Sequence, residues 1–184
     1  MRQALKIHPG SMCAAAASID VDVERPRASL LRLSYEVSGA MSEIYLPAKT
    51  APIRTDELWR RTCFEAFVGA GLGGPYLELN FAPSSQWAAY AFAGYRAGMR
   101  VAREIAQPAI EVRRSEDRFD LRVSIDLGPL ADLPGDANWR IGLAAVIEEA
   151  SGRKSYWALA HPPGRPDFHH AHSFAYELPM APPP

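Results

Sequence analysis

The chain has 184 residues, 48% of them hydrophobic, and a formal charge of −1 at pH 7. That length supports one substantial core and leaves little room for two, so a single domain over residues 1–184 is expected, with a disordered proline-rich tail from about residue 179. Neither sign of charge forms long blocks, which removes the electrostatic footprint of a nucleic-acid binder or of a protein lying on anionic lipid.

Cys13 and Cys63 are the only cysteines, too few for a disulfide framework and compatible with a reduced compartment. The opening MRQALKIHPGSMCAAAAS is broken by Lys6, His8, Pro9 and Gly10 before it reaches signal-peptide length, and no window is apolar enough to span a bilayer. A soluble, cytoplasmic protein without a membrane partner is therefore expected.

Taken in order, Ala4 to His8 reads as a short edge strand closed by the His8-Pro9-Gly10 turn. Ile19, Val21 and Val23 alternate with acids and serine in a strand that should stop at Pro26, and Leu31, Leu33, Tyr35 and Val37 repeat the pattern up to Ser38-Gly39. Ile44 to Leu46 predicts another short strand. Beyond the central stretch, Trp87 to Phe92 is a strand, while Gly94 to Ile105 fits neither strand nor helix cleanly. Ala109 to Val112 should pair with Phe119 to Ile125, the cleanest alternation in the chain. Asp126 to Asp136 has room for one helical turn between its glycines and prolines. Trp139 to Ile147 is nearly continuous in apolar residues, as in a central strand, with Ser155 to His161 as its partner across Ser151-Gly152 and His172 to Leu178 closing the sheet. Many short strands without crossover helices predict an all-β fold, an antiparallel two-sheet β-sandwich of jelly-roll or immunoglobulin type with at most short helical turns.

The stretch from Asp56 to Met99 concentrates the chemistry. Leu77, Leu79 and Phe81 alternate with Tyr76, Glu78 and Asn80, and Phe64, Ala66 and Val68 alternate with Cys63, Glu65 and Phe67. Gly71, Gly73 and Gly74 allow the tight connection of an antiparallel pair, which puts Glu65, Glu78 and Asn80 on one face. Like charges on strands roughly 4.8 Å apart repel unless a cation, hydroxyl or amide intervenes. The same glycines have no lysine and no following helix, so a phosphate loop is rejected.

The run DELWRRTCFEAFVG, followed by YLELNFAPSSQWAAYAF and the late YWALAHPPGRPDFHH, resembles the DOMON-like domains, in the branch related to family 9 carbohydrate-binding modules. The likeness runs from the second strand to the last. It implies a jelly-roll-like sandwich that binds sugars in some relatives and haem in others. In the sugar-binding case it implies a glycan held between tryptophans with polar groups around it, parts that Trp59, Trp87 and Trp157 with Glu65, Asn80 and Arg96 would play. In the haem case it implies a methionine and a histidine as axial ligands, for which Met99 and His161 are the candidates.

Each constellation also has a plainer explanation. Trp87, Tyr90 and Trp157 either line a pocket, stacking on the C–H face of a sugar, or fill the core as Trp139 does by sharing the parity of Ile141 and Leu143. Glu65 and Glu78 would suit glycoside hydrolysis if roughly 5 to 9 Å apart across a cleft, yet no further acid–base group accompanies them, and pairing with Arg60, Arg61 or Arg96 would explain them equally. His170 and His172 have donor types suited to zinc or copper but lack cysteine partners or an HExxH helix. His161, beside Pro162-Pro163, could be aimed over the same end of the sandwich as Arg96.

The expectation is a non-catalytic module for a small polar ligand, a sugar or sugar derivative, with no obligatory cofactor. Its ligand set would be Trp59, Glu65, Glu78, Asn80, Trp87, Tyr90, Arg96, Trp157 and His161. Haem or metal binding through Met99 and His161 is the first alternative. An interaction domain, self-associating through an open sheet edge or apolar face, is the second.

Overall fold

Period-two alternation builds thirteen strands in the described part of the computed structural model, which covers residues 1–128, 130 and 132–182. In chain order they are β1 (Arg2–Ala4), β2 (Lys6–Ile7), β3 (Ala16–Arg27), β4 (Leu30–Gly39), β5 (Cys63–Gly69), β6 (Tyr76–Phe81), β7 (Trp87–Phe92), β8 (Arg100–Val101), β9 (Ala109–Arg114), β10 (Arg118–Asp126), β11 (Trp139–Glu148), β12 (Lys154–Ala158) and β13 (Tyr176–Leu178). The helical content among the described residues is three short 3-10 turns, Met41–Glu43, Leu58–Arg60 and Ala171–Ser173, none long enough to cross a membrane. Every strand pair is antiparallel, and the strands form a five-stranded sheet, β1-β3-β4-β10-β9, and an eight-stranded sheet. The second runs β2-β12-β11-β5-β6-β7-β8, with β13 beside β11. The all-β antiparallel sandwich expected from the pattern is the fold.

Local details depart from the pattern for identifiable reasons. The expected edge strand at Ala4 to His8 is split: β1 joins one sheet and β2 the other, with the buried Leu5 between them. β3 does not stop at Pro26, because the register shifts between Glu24 and Arg27, and a residue without an N–H is tolerated at such an irregularity. Ile44 to Leu46 yields one bridge, Ile44 with Glu149, in place of a strand. The segment 94–105 contributes β8 and turns around it. Part of the expected turn at 126–136 lies outside the described residues, as do residues 183 and 184 of the tail; nearer the fold, the Met180 N–H donates to Asn138 Oδ1 at 3.0 Å.

Between the sheets, Phe64, Ala66 and Val68 of β5 and Leu77, Leu79 and Phe81 of β6 meet Leu31, Leu33, Tyr35, Phe119, Leu121 and Val123 of the opposite sheet. Phe64 stacks on Phe119 with ring centroids 5.5 Å apart. Each such side chain removed from water contributes roughly 1.5–3 kcal/mol, so these rows dominate the stability of the fold. The Tyr35 hydroxyl crosses the interior and donates to the Glu65 carbonyl at 2.7 Å, which satisfies the one polar atom that side chain brings into the core.

All residues of β5 and β6 are buried, although their sequences alternate. The reason is a second apolar cluster on the outer side of the eight-stranded sheet, in which Cys63, Phe67, Tyr76, Tyr90 and Phe92 pack against Leu58, Phe168 and Phe174 from loops that fold back over the strands. The acids on that side are therefore roofed by loops and held away from bulk water.

Candidate ligand-binding cleft

The β5–β6 register pairs Glu65 with Asn80 and Phe67 with Glu78, so the two acids are diagonal neighbours on one surface, as the alternation predicts. Above them the roofing loops leave a cleft of about 420 Å³. Six residues singled out from the sequence line it: Trp59, Glu65, Glu78, Tyr90, Arg96 and Met99. Trp59, on the 3-10 turn after a left-handed Glu57, meets the Tyr90 ring edge-on at 5.8 Å and remains 37% exposed, which leaves ring surface available to a ligand. The Tyr90 hydroxyl donates to Asp56 at 2.7 Å, fixing that ring from the loop side.

The floor is a connected polar chain. The Asn80 amide nitrogen donates to Glu78 Oε1 at 2.7 Å, and the Cys63 thiol donates to Asn80 Oδ1 at 3.6 Å. The Arg96 backbone N–H donates to the Tyr76 hydroxyl at 3.2 Å, and that hydroxyl is hydrogen-bonded to His169 Nδ1 at 2.8 Å. The other ring nitrogen of His169, Nε2, faces Glu78 Oε2 at 3.6 Å. Burial, followed by the charge of Arg96, pushes the His169 ring down to about 4, so the ring is neutral around pH 7. Arg96 forms an ion pair with Asp167 at 2.8 Å. Burial disfavours the Asp167 carboxylate, but hydrogen bonds from Tyr95 and Arg96 outweigh it and hold that carboxyl below its usual range.

Glu65 differs from its neighbours. It is 3% exposed, and its Oε1 is buried with no hydrogen-bond partner among the described residues. Burial first, and the charge of Glu78 second, push its carboxyl well above the ordinary carboxylate range. Burial also raises Glu78, but the Asn80 amide and Arg96 counteract it. Of the pair, Glu78 is the better supported as an anion, and Glu65 holds its proton the more tightly.

The remaining sequence candidates are placed elsewhere. Trp87 is not on the cleft: β7 pairs Phe81 with Trp87, which puts the indole on the inner side, 3% exposed, under the Arg54 guanidinium at 4.0 Å and donating to the Pro52 carbonyl. Trp157 is likewise internal, because it pairs with Ala145, whose parity is that of the core, and its ring nitrogen donates to Ser155. Asn80 is wholly buried beneath the floor and acts through Glu78. His161 packs edge-on against His8 at 4.9 Å and hydrogen-bonds the Lys6 carbonyl, at the β2 edge of the sheet. Met99 adjoins β8 at the other edge, six strand spacings away, on the order of 25–30 Å. His161 is not among the residues lining the cleft that Met99 enters, so the two are not brought together as a haem pair. His170 accepts the His172 N–H at Nδ1, and the described residues contain no group of three or more side chains suited to a metal ion.

Phe92, Val146, Tyr156, Pro166, Phe168 and His169 complete the cleft and were not among the ligand candidates named from the sequence. A hollow of comparable volume, 460 Å³, lies on the outer face of the five-stranded sheet, but its walls are ordinary surface charges such as Asp22, Glu24, Arg32 and Arg122, with no aromatic ring. Of these two, the first joins exposed aromatic surface to buried carboxyls and the second does not.

No family model matches the sequence, and no curated protein matches it significantly. Solved structures do match. A candidate carbohydrate-binding protein from Bacteroides uniformis superposes with a TM-score of 0.63 at 12% identity, over 94% of this chain and 83% of the other. A family 9 carbohydrate-binding module from Caldicellulosiruptor kristjanssonii in complex with cellotriose gives 0.55 at 10% identity, over 98% and 82%. This chain has the family 9, DOMON-like fold. A glucose complex of a family 9 module from the same organism gives 0.50 at 10% identity, over 92% of this chain and 78% of the other. At these identities the family 9 likeness concerns the fold, and the site rests on this chain's own residues.

Proposed function

We propose that this chain is a non-catalytic binding module that holds a small polar ligand, a sugar or sugar derivative, in the cleft above β5, β6 and β7. One observation carries the proposal: exposed Trp59 ring surface stands over a floor where a buried Glu65 oxygen lacks a partner. A sugar offers both complements, a C–H face for the indole and hydroxyls that donate to or accept from a carboxyl. Arg96, half-exposed at the rim, has donors beyond the one given to Asp167. The cellotriose and glucose complexes of the family 9 modules support the ligand class.

The non-catalytic reading is supported by the matching family 9 structures, which are carbohydrate-binding modules.

Calorimetric titration with glucose, cellotriose and a monosaccharide panel tests the proposal. Binding by at least one sugar, weakened about tenfold in Trp59→Ala, is expected. Silence across the panel from folded protein would defeat it.

A further inference from the structure

We infer that the cleft prefers ligands carrying a basic amine, an amino sugar being the class that fits the sugar-binding reading on which this inference rests. Another buried charge in this protein is well provided for. Arg25, 6% exposed, donates to the carbonyls of Ala28, Gly135 and Ala137 and lies 3.5 Å from the centre of the Trp139 ring. Its charge is fully surrounded. The Glu65–Glu78 pair has no such provision: Glu65 Oε1 has no partner, and Glu78 has one amide donor and a neutral imidazole 3.6 Å away. The cation at the cleft, Arg96, is already balanced by Asp167. Two buried carboxyls thus share a lining whose one cation among the described residues, Arg96, is ion-paired to Asp167 and to neither of them.

Without a ligand, a proton on Glu65 makes up that deficit. A protonated amine supplies the same positive charge and three donors, enough to reach the free Glu65 oxygen and Glu78 together. The exchange balances simply: the ammonium enters still protonated, Glu65 gives up its proton, and that proton leaves to the buffer. A neutral sugar hydroxyl donates to the free oxygen without displacing the proton. Around the pair stand Arg96 and His169 from the loops, Tyr90 from β7, Tyr156 from β12 and Cys63 from β5. Burial pushes the Tyr90 phenol and the Cys63 thiol up and the His169 ring down to about 4, so none of those three supplies the released proton near pH 6.5.

The test is calorimetry of the whole chain at pH 6.5 with glucosamine, glucose and N-acetylglucosamine, each in phosphate and in MOPS, whose ionisation enthalpies differ. Glucosamine should bind at least tenfold more tightly than N-acetylglucosamine, with a buffer-dependent heat that reports proton release. Both effects should vanish in Glu65→Gln, whose folding is verified by its thermal melt. Equal affinities with no buffer dependence would overturn this inference and leave the sugar-binding reading standing. No heat from any of the three sugars would overturn both.

Discussion

The two sides of the eight-stranded sheet are made by alternate residues of the same strands, yet they treat polar atoms differently. On the inner side, Phe64, Leu79, Phe81 and Trp87 pack against the opposite sheet, and the polar atoms that intrude are paired: the Tyr35 hydroxyl with the Glu65 carbonyl, the Trp87 ring nitrogen with the Pro52 carbonyl. On the outer side, an equally buried row carries Glu65, Glu78 and Asn80, and two carboxyl oxygens, Glu65 Oε1 and, on β11, Glu148 Oε2, are without a partner among the described residues. Leaving such a group unmade costs about 1–3 kcal/mol, a sizeable share of the 5–15 kcal/mol that holds a domain together. The inner side is arranged for stability. The outer side gives some of it up, and the proposed function reads that concession as a place for a ligand.

Replacing the two tryptophans should separate the sides most sharply. Trp87→Ala removes a packed inner ring and should lower unfolding free energy by about 3–5 kcal/mol in a urea titration. A loss below about 1 kcal/mol would put that ring outside the core and erase the contrast.

The next effect is in pH. Because the folded protein holds the Glu65 proton more tightly than the unfolded chain, whose carboxyl lies at about 4.3, stability should fall as pH rises from there through the raised value. His169 acts in the opposite sense: its ring is held at about 4 against an unfolded value of about 6.5, so stability is lost as pH falls through that window. Urea midpoints across pH should therefore show partly cancelling slopes in the native chain. Glu65→Gln should shift the slope toward rising with pH, with the raised Glu78 still opposing it, and His169→Asn should shift it toward falling. An unchanged slope in either variant would mean that its residue is solvated.

The smallest stability effect belongs to Trp59. Because its ring is partly exposed, Trp59→Ala should change unfolding free energy by no more than about 1 kcal/mol while weakening sugar binding about tenfold. A larger loss of stability would make Trp59 a packing residue.

Alternation in the sequence was sufficient for the sandwich and for the shared face of Glu65 and Glu78, because strand parity is a local property. It was insufficient for Trp87. β7 reads Trp-Ala-Ala-Tyr-Ala-Phe, with aromatic and small residues on both sides, and only the register across the 82–86 turn assigns the indole to Phe81's side. Trp157 did carry a usable signal, since pairing β12 to β11 across Gly152 sets it opposite Ala145, on the parity of Ile141 and Leu143. His169 and Phe168 carried none. They reach the cleft because a loop distant in sequence folds over β5 and β6, a contact with no periodicity. The pairing of Met99 with His161 likewise depended on strand order, which the resemblance did not provide, and that order puts them at opposite edges.

Carbon-detected NMR of the Glu65 side-chain carboxyl across pH probes the unpartnered acid without needing any ligand. A midpoint well above the ordinary carboxylic range, moving downward when glucosamine is added, is the predicted result. A midpoint near 4.3 that ignores added sugar would contradict it.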